Sequence, residues 1–146
     1  MEARLLLVED DAPFRRSLET FLRRAGYIFD SCATAREALE LSRKTVYAVA
    51  VVEYRLPDAD GCWLIHKLRA HHPRIRAVFL SAYDYESVAT EWPDEEDNAY
   101  LKKPFDPVEL ESVLDSLLKA DQLTPKQKLQ LISDRYEKDI LAPQPS

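Results

Sequence analysis

Apolar residues follow two alternating patterns along the chain. Short continuous apolar runs cover Arg4 to Val8, Tyr27 to Cys32, Val46 to Val52, Ala77 to Leu80 and Ala99 to Leu101. Runs of this length, several of them rich in β-branched residues, are typical of buried strands. Between them, apolar residues return every three or four positions, as they do on amphipathic helices. The pattern therefore predicts five strands alternating with helices.

Capping residues mark where the predicted helices begin and end. Pro13 fits the first turn of the first helix, and Gly26 fits just beyond its last turn. Thr34 is a candidate N-cap for the second helix, and the third helix ends near His71. Pro107 opens the helix that follows the fifth strand. Strands and helices in this alternation predict an α/β fold, a parallel sheet with helices on both faces.

Polar side chains follow four of the five predicted strands directly. In a parallel sheet the carboxyl ends of the strands lie along one edge, where function gathers. The residues concerned are Glu9, Asp10, Asp11, Glu53, Ser81, Lys102, Lys103 and Pro104.

The residue types at this edge indicate a particular chemistry. Clustered carboxylates suit a hard cation such as Mg²⁺, and a lysine opposite them can hold a phosphoryl oxygen. A central carboxylate can attack phosphorus to give an acyl phosphate. From residue types alone, the edge resembles a site for Mg²⁺-assisted phosphoryl transfer.

Four motifs carry a family resemblance. In order, "LLLVEDD", "VVEYRLPDADG", "LSA" and "YLKKPF" resemble the receiver domain of bacterial two-component response regulators, from Arg4 to Ala120 and with matching gaps. The resemblance implies a flavodoxin-like, doubly wound sheet of five parallel strands in the order 2-1-3-4-5. An extra C-terminal helix is predicted beyond it.

The resemblance also implies roles for the site residues. Those of the metal site are the acidic pair Glu9 and Asp10, the phosphoacceptor position Glu53, and Arg55, which would bind the metal through its backbone carbonyl. Those of the switch and phosphate site are Ser81, Tyr100, Lys103 and Pro104, with the Lys103–Pro104 peptide bond cis as in the family.

Glu53 departs from the family, which has aspartate at this position. The extra methylene moves the carboxylate about 1 to 1.5 Å further out, and an error of about 1 Å can cost roughly 100-fold in rate. We therefore expect a receiver that is not switched by aspartyl phosphorylation. Glu53 brings about one negative charge where a phosphate brings roughly two. The sequence leaves open whether it mimics the active state or inactivates the switch.

The segment before Tyr100 departs as well. Pro93 and the acidic run from residue 94 to residue 97 stand where the family has a helix, so we expect a short helix from about Tyr85 to Trp92 and then an irregular acidic loop. Trp92 is either an exposed anchor of an interaction surface shared with Tyr100 or a core residue.

Two segments divide the chain. Residues 1–120 are expected to form the receiver domain and residues 121–146 a C-terminal helix with a disordered tail. Thr124 is a candidate N-cap, and an apolar stripe from Leu129 to Ile140 needs burial somewhere.

Charge and hydropathy bear on the partners. The net charge of −6 disfavours direct nucleic-acid binding, and no apolar run is long enough for a membrane span. The start of the chain lacks a secretory pattern, so a cytoplasmic location is expected. The predicted partners are a sensor histidine kinase or another signalling protein, with control of a transcriptional output. A homodimer is predicted through the last strand and helices or through the C-terminal helix, and Mg²⁺ binding is predicted to be weak.

Three alternatives stay open. The chain is a conventional phospho-accepting receiver, a small Mg²⁺-dependent phosphohydrolase with Asp10 as nucleophile, or an interaction module whose polar edge is a relic. Phosphate transfer to residue 53, phosphomonoester turnover and Mg²⁺ titration separate them.

Overall fold

Nine elements make up the part of the chain that the structure describes, residues 3–83 and 98–122 of a computed structural model. The five strands are β1 (Arg4–Val8), β2 (Ile28–Cys32), β3 (Val49–Glu53), β4 (Arg76–Ser81) and β5 (Asn98–Lys102). The four helices are α1 (Ala12–Arg24), α2 (Ala35–Lys44), α3 (Gly61–His71) and α4 (Pro107–Gln122).

The strands form one parallel sheet in the order β2-β1-β3-β4-β5. This confirms the predicted α/β fold and strand order. None of the helices in the described ranges is long and apolar enough to cross a membrane.

Alternation of side chains along the strands divides the core into two layers. Leu6, Val8 and Phe79 point to the face covered by α2 and α3, where Leu64 and Leu68 of α3 pack on them. The intervening residues, among them Leu5, Leu7, Val51 and Leu80, point to the face covered by α1 and α4. β1 and β3 are buried on both faces, as their continuous apolar sequences predict.

Capping side chains define the helix starts. Thr34 accepts a hydrogen bond from the Glu37 amide at 3.1 Å, which confirms the predicted cap of α2. Asp60 caps α3 through the Trp63 amide at 2.7 Å. Gly26 follows α1 with a φ of 89°, in the left-handed region where glycine is favoured.

The predicted start of the third strand is wrong by three residues. β3 begins at Val49, and Val46 is 74% exposed. Tyr47 is buried, but its hydroxyl reaches across to Asp30, donating a hydrogen bond of 2.6 Å. The apolar run therefore begins before the pairing with β1 does. At the other end, Glu53 is the last residue of β3 itself.

Several expectations lie outside the described residues. They are the short helix from Tyr85 to Trp92, the acidic loop after it, the placement of Trp92, and the C-terminal helix and tail. α4 continues to Gln122, and the division of the chain at residue 120 stays a prediction.

A close backbone approach brings the start of α3 against the end of β3. A Cβ on Gly61 would lie 2.9 Å from the carbonyl oxygen of Glu53 and 3.2 Å from the Tyr54 Cα. Real Cβ atoms do not come this close to backbone, so only glycine fits here without moving the end of β3.

We expect Gly61→Ala to destabilise the protein by about 1 to 3 kcal/mol, the usual cost of overpacking. Gly26→Ala is the comparison, because a Cβ there meets nothing within 4 Å and only the positive φ opposes it. Its expected cost is about 1 to 2 kcal/mol, the usual cost of the left-handed conformation for a residue with a Cβ. Urea unfolding of both variants measures the difference, and a Gly61→Ala protein as stable as wild type would contradict the close approach.

Candidate functional site

Strand alternation places three charged side chains on the same face of the sheet. Glu9 continues the series of Leu5 and Leu7 beyond β1, and Glu53 continues that of Val49 and Val51. Lys103 follows β5 in step with Ala99 and Leu101, which pack in the same layer. Residues two apart along a strand point the same way, so all three converge under the start of α1.

The Lys103 ammonium joins the two glutamates. Its Nζ lies 3.0 Å from Glu9 Oε2 and 2.5 Å from Glu53 Oε2. The structure thus pairs both Glu53 and Glu9 with the same cation. We call these three side chains the Glu–Lys–Glu cluster.

Glu9 is fully buried, and its carboxylate is held on both oxygens. Oε1 accepts a hydrogen bond from the Asp11 amide at 3.2 Å, and Oε2 accepts one from Lys103. Burial raises the pKa of Glu9 to about 7, and the Glu53 charge adds to this, although the contact with Lys103 opposes it. Burial therefore makes the neutral form of this acid easier to populate than that of an exposed glutamate.

Glu53 is almost as buried, with 11% of its side chain exposed. Oε1 faces the Arg55 amide at 3.4 Å, a long hydrogen bond. Oε2 is in contact with the Lys103 ammonium but accepts no well-oriented hydrogen bond from the described residues. A buried carboxylate in this position depends on the lysine for its charge balance.

Lys103 is enclosed by more than its two acids. Burial would lower the pKa of its ammonium, but the contacts with Glu53 and Glu9 outweigh burial and raise it. The Phe14 ring lies over the ammonium, 4.4 Å from Nζ to the ring centroid, and the Phe105 ring packs edge-on against Phe14. The lysine stays a cation in the folded protein.

The two residues predicted to act as the switch lie on the other face of the sheet. Ser81 is buried, and its hydroxyl accepts a hydrogen bond from the Tyr83 amide at 3.0 Å. Tyr100 packs against the layer beneath α2 and α3, and its hydroxyl donates to the Tyr83 carbonyl oxygen. Ser81 is tied to the cluster through the backbone, because its carbonyl accepts the Lys103 amide at 2.7 Å.

The remaining acids and Arg55 lie at the rim. Asp10 is exposed, and Asp11 is the N-cap of α1, accepting a hydrogen bond from the Phe14 amide at 3.1 Å. Asp11 thus serves the helix and does not enter the cluster, which corrects its placement among the converging acids. The Arg55 guanidinium stacks over the Tyr83 ring at 4.9 Å.

The donor set does not resemble a preformed metal centre. Within residues 3–83 and 98–122, no three or more His, Cys, Asp or Glu side chains are grouped so that they could hold a metal ion. The two buried carboxylates instead face the Lys103 ammonium. The metal roles of Glu9, Asp10, Glu53 and Arg55 stay predictions.

Two residues that shape the site, Phe14 and Asp58, are not among those predicted from the sequence. Phe14 lies in the first turn of α1, directly after the acidic residues, which places it at this edge, but its contact with Lys103 depends on the fold. Asp58 binds the amides of Ala35 and Arg36 at 2.9 Å each, joining the loop after Glu53 to the start of α2. Burial would raise the pKa of Asp58, but these amide hydrogen bonds outweigh it and lower the pKa.

The Lys103–Pro104 peptide bond is cis, as the resemblance implies. It is the first bond after the lysine of the cluster.

Comparison with known proteins gives consistent relatives. The chain is 30% identical over 131 residues to the photosynthetic apparatus regulatory protein RegA of Cereibacter sphaeroides, covering 90% of this chain and 70% of RegA. It is 28% identical over 141 residues to the transcriptional regulatory protein SrrA of Staphylococcus aureus. That match covers 97% of this chain but only 56% of SrrA, so the chain spans little more than half of that relative.

Solved structures agree with the sequence relatives. A putative response regulator from Chloroflexus aurantiacus superposes with a TM-score of 0.72 at 29% identity, over 82% of this chain and 99% of that one. The chemotaxis response regulator CheY4 of Vibrio cholerae, at 24% identity and a TM-score of 0.73, shares the fold over 80% of this chain and 99% of its own.

The family model of the response regulator receiver domain matches residues 5–115, which contain all five strands and the Glu–Lys–Glu cluster. With its parallel sheet in the order β2-β1-β3-β4-β5 and its acidic edge, the chain belongs to the response regulator receiver family.

Proposed function

We propose that this chain is an atypical receiver domain that signals through protein–protein contacts without being phosphorylated at position 53. The contact of Lys103 with both Glu53 and Glu9 is the observation that carries the proposal. In the cluster, the carboxylate of Glu53 already binds the ammonium that would otherwise hold an incoming phosphoryl oxygen.

Geometry adds to this argument. Glu53 is one methylene longer than aspartate, and its Oε2 is already 2.5 Å from the lysine. A phosphodonor placed for in-line attack on a shorter side chain meets an oxygen displaced by about 1 Å or more, which can cost roughly 100-fold in rate. The Phe14 ring covers the ammonium from a further side.

The signalling state that Glu53 favours follows from its charge. One carboxylate supplies about half the charge of a phosphoryl group. A ligand shifts a two-state equilibrium only by its difference in affinity for the two states, so a half-sized mimic shifts the population in part. We therefore propose a receiver with a fixed, intermediate bias toward the active-like conformation.

Magnesium plays a minor part in this proposal. Residues that would hold it in a receiver are Glu9, Asp10, Glu53 and the carbonyl of Arg55. A cation entering here competes with Lys103, because the ammonium already contacts both buried carboxylates and offsets part of their charge. We propose that Mg²⁺ binding is weak.

The partners follow from the family. Receiver domains work with sensor kinases and other signalling proteins, and RegA and SrrA are by name regulatory proteins. We propose that a histidine kinase or another signalling protein binds this chain and that its output is transcriptional, without direct nucleic-acid contact by these residues. A homodimer through β5 and the neighbouring helices, or through the C-terminal helix, stays a prediction.

Catalysis is not part of the proposed function. The competing phosphohydrolase needs Asp10 as nucleophile, and Asp10 is exposed outside the cluster. We expect no turnover of a generic phosphomonoester with Mg²⁺ present, and sustained turnover lost in Asp10→Asn would favour the hydrolase.

Phosphotransfer is the first test. Incubated with acetyl phosphate and Mg²⁺, the wild-type chain should acquire no detectable acid-labile phosphate. Glu53→Asp should be labelled at a rate at least about 100-fold above the detection limit set by wild type. Intact-protein mass spectrometry at low temperature measures the label. Glu53→Gln is the control without a nucleophile. Robust labelling of wild type on Glu53 would overturn the proposal.

The competition between Lys103 and magnesium gives a second test. Lys103→Met leaves two buried carboxylates without their cation, so its melting temperature should rise with added Mg²⁺ far more than that of wild type. Lys102→Met is the control, because it removes an exposed neighbouring lysine and so has the same net charge as Lys103→Met. Strong stabilisation of wild type by Mg²⁺, equal to that of Lys103→Met, would contradict weak binding.

The Glu9 carboxyl gives a pH-dependent test. Its pKa is raised from 4.5 to about 7, so between these pH values the folded protein holds more protons than the unfolded chain. The free energy of unfolding should therefore fall as pH rises through this window. Glu9→Gln, which keeps the shape, should show a smaller fall. Urea unfolding of both proteins across this pH window measures the difference. Identical slopes of the free energy of unfolding against pH would show that Glu9 does not titrate as described.

A further inference from the structure

A groove runs between α2 and α3 on the face of the sheet away from the Glu–Lys–Glu cluster. It consists of two adjoining cavities of about 620 Å³ and about 380 Å³ that share Leu39 and Arg43 as lining residues. Volumes in this range are those of binding sites. We call it the α2–α3 groove.

The larger cavity of the groove combines an apolar floor with a cationic wall, whereas Glu40 and Asp58 line the smaller cavity beside Arg36 and Arg43. Leu39 and Leu68 form part of the floor of the larger cavity. Its charged and titratable lining residues are Arg43, Lys67, His71 and His72, and no carboxylate lines that cavity. The chain as a whole carries a net charge of −6, so this wall has the opposite sign to the protein's overall charge.

Two of the three permanent cations that line the groove are available for a ligand. Arg43 and Lys67 are exposed, and neither forms an ion pair with another residue of the described ranges. Arg36, further along the groove, is paired with Glu40 at 3.5 Å. Lys67 also lies 5.6 Å from the centroid of the half-exposed Trp63 ring, which extends the wall with an aromatic surface.

The base of the groove is fixed. His72 Nε2 and the Ser42 carbonyl oxygen are 3.0 Å apart and join the ends of the two helices. At the other end, Asp58 holds the start of α2 through the Ala35 and Arg36 amides. The groove is therefore preformed, and a partner binding there need not order it.

We propose that the α2–α3 groove binds an acidic peptide segment of a partner protein, one that places an apolar side chain on the floor and carboxylates against Arg43 and Lys67. The ten residues of α2 give a length of about 15 Å, enough for about five residues of an extended peptide. This proposal is independent of whether Glu53 accepts phosphate.

Charge excludes the competing occupants. Nucleic acid needs a larger cationic surface than two permanent cations on a chain of net charge −6. A second copy carries the same net charge of −6, which disfavours this groove as the contact between copies. A partner's acidic segment meets the cations locally and places its apolar side chain in a floor that water otherwise covers.

The test is a titration of the ¹⁵N-labelled full chain with a synthetic peptide of alternating Glu and Leu, followed by amide chemical shifts. Shifts should concentrate at Leu39, Arg43, Lys67 and His71. A peptide with Gln in place of Glu should bind at least about tenfold more weakly, as loss of charge pairing predicts.

Variants of the protein make the titration specific. Arg43→Glu with Lys67→Glu should weaken the Glu–Leu peptide at least about tenfold, and Ala70→Lys, on the groove wall, should strengthen it. Arg16→Glu with Arg24→Glu is the matched control: both arginines are exposed on α1, across the sheet, and the charge change is the same. It should leave the affinity within about twofold.

Four results would overturn the proposal. They are equal weakening by the two charge reversals, equal binding of the Gln–Leu peptide, tighter binding of a short DNA duplex than of the Glu–Leu peptide, and self-association that Arg43→Glu with Lys67→Glu abolishes. The last would assign the groove to a second copy of the chain. Analytical ultracentrifugation without peptide measures it.

Discussion

One ammonium group holds two buried carboxylates, and the acidic edge of this receiver depends on that contact. Glu9 is fully buried, Glu53 is almost as buried, and the Lys103 ammonium lies between them. Removing one member of a buried ion pair typically costs about 3 to 5 kcal/mol, because the remaining charge has no counterion. Losing the lysine would therefore leave both carboxylates without a counterion, and in the proposed function the same lysine is already occupied when a phosphoryl group arrives.

Strand parity explains why these three residues meet and why the switch residues do not join them. Glu9, Glu53 and Lys103 each continue the face that α1 and α4 cover, whereas Ser81 and Tyr100 point to the face under α2 and α3. A one-residue slip in any strand would exchange these faces. The sheet thus separates the charge cluster on one side from the switch side chains and the α2–α3 groove on the other, with backbone hydrogen bonds between them.

The sequence predicts the fold well because strand runs, helix caps and the order of motifs are local signals. The prediction fails at Val46 because an apolar run reports only composition, whereas pairing with β1, a segment distant in sequence, decides where the strand starts. Asp11 could not be told from a site acid, since a carboxylate after a strand serves equally as a helix cap. The packing of Phe14 on Lys103 and the hydrogen bonds from α2 to Asp58 join segments that are distant in sequence. No rule of residue spacing predicts such contacts.

The central claim is that Lys103 and Glu53 are energetically coupled in the folded protein. A double-mutant cycle with Glu53→Gln, Lys103→Met and the combined variant measures this coupling by urea unfolding. The cluster predicts that the two single changes together cost more than the double change, with a coupling of about 1 to 3 kcal/mol. Additive effects, with a coupling near zero, would contradict the account.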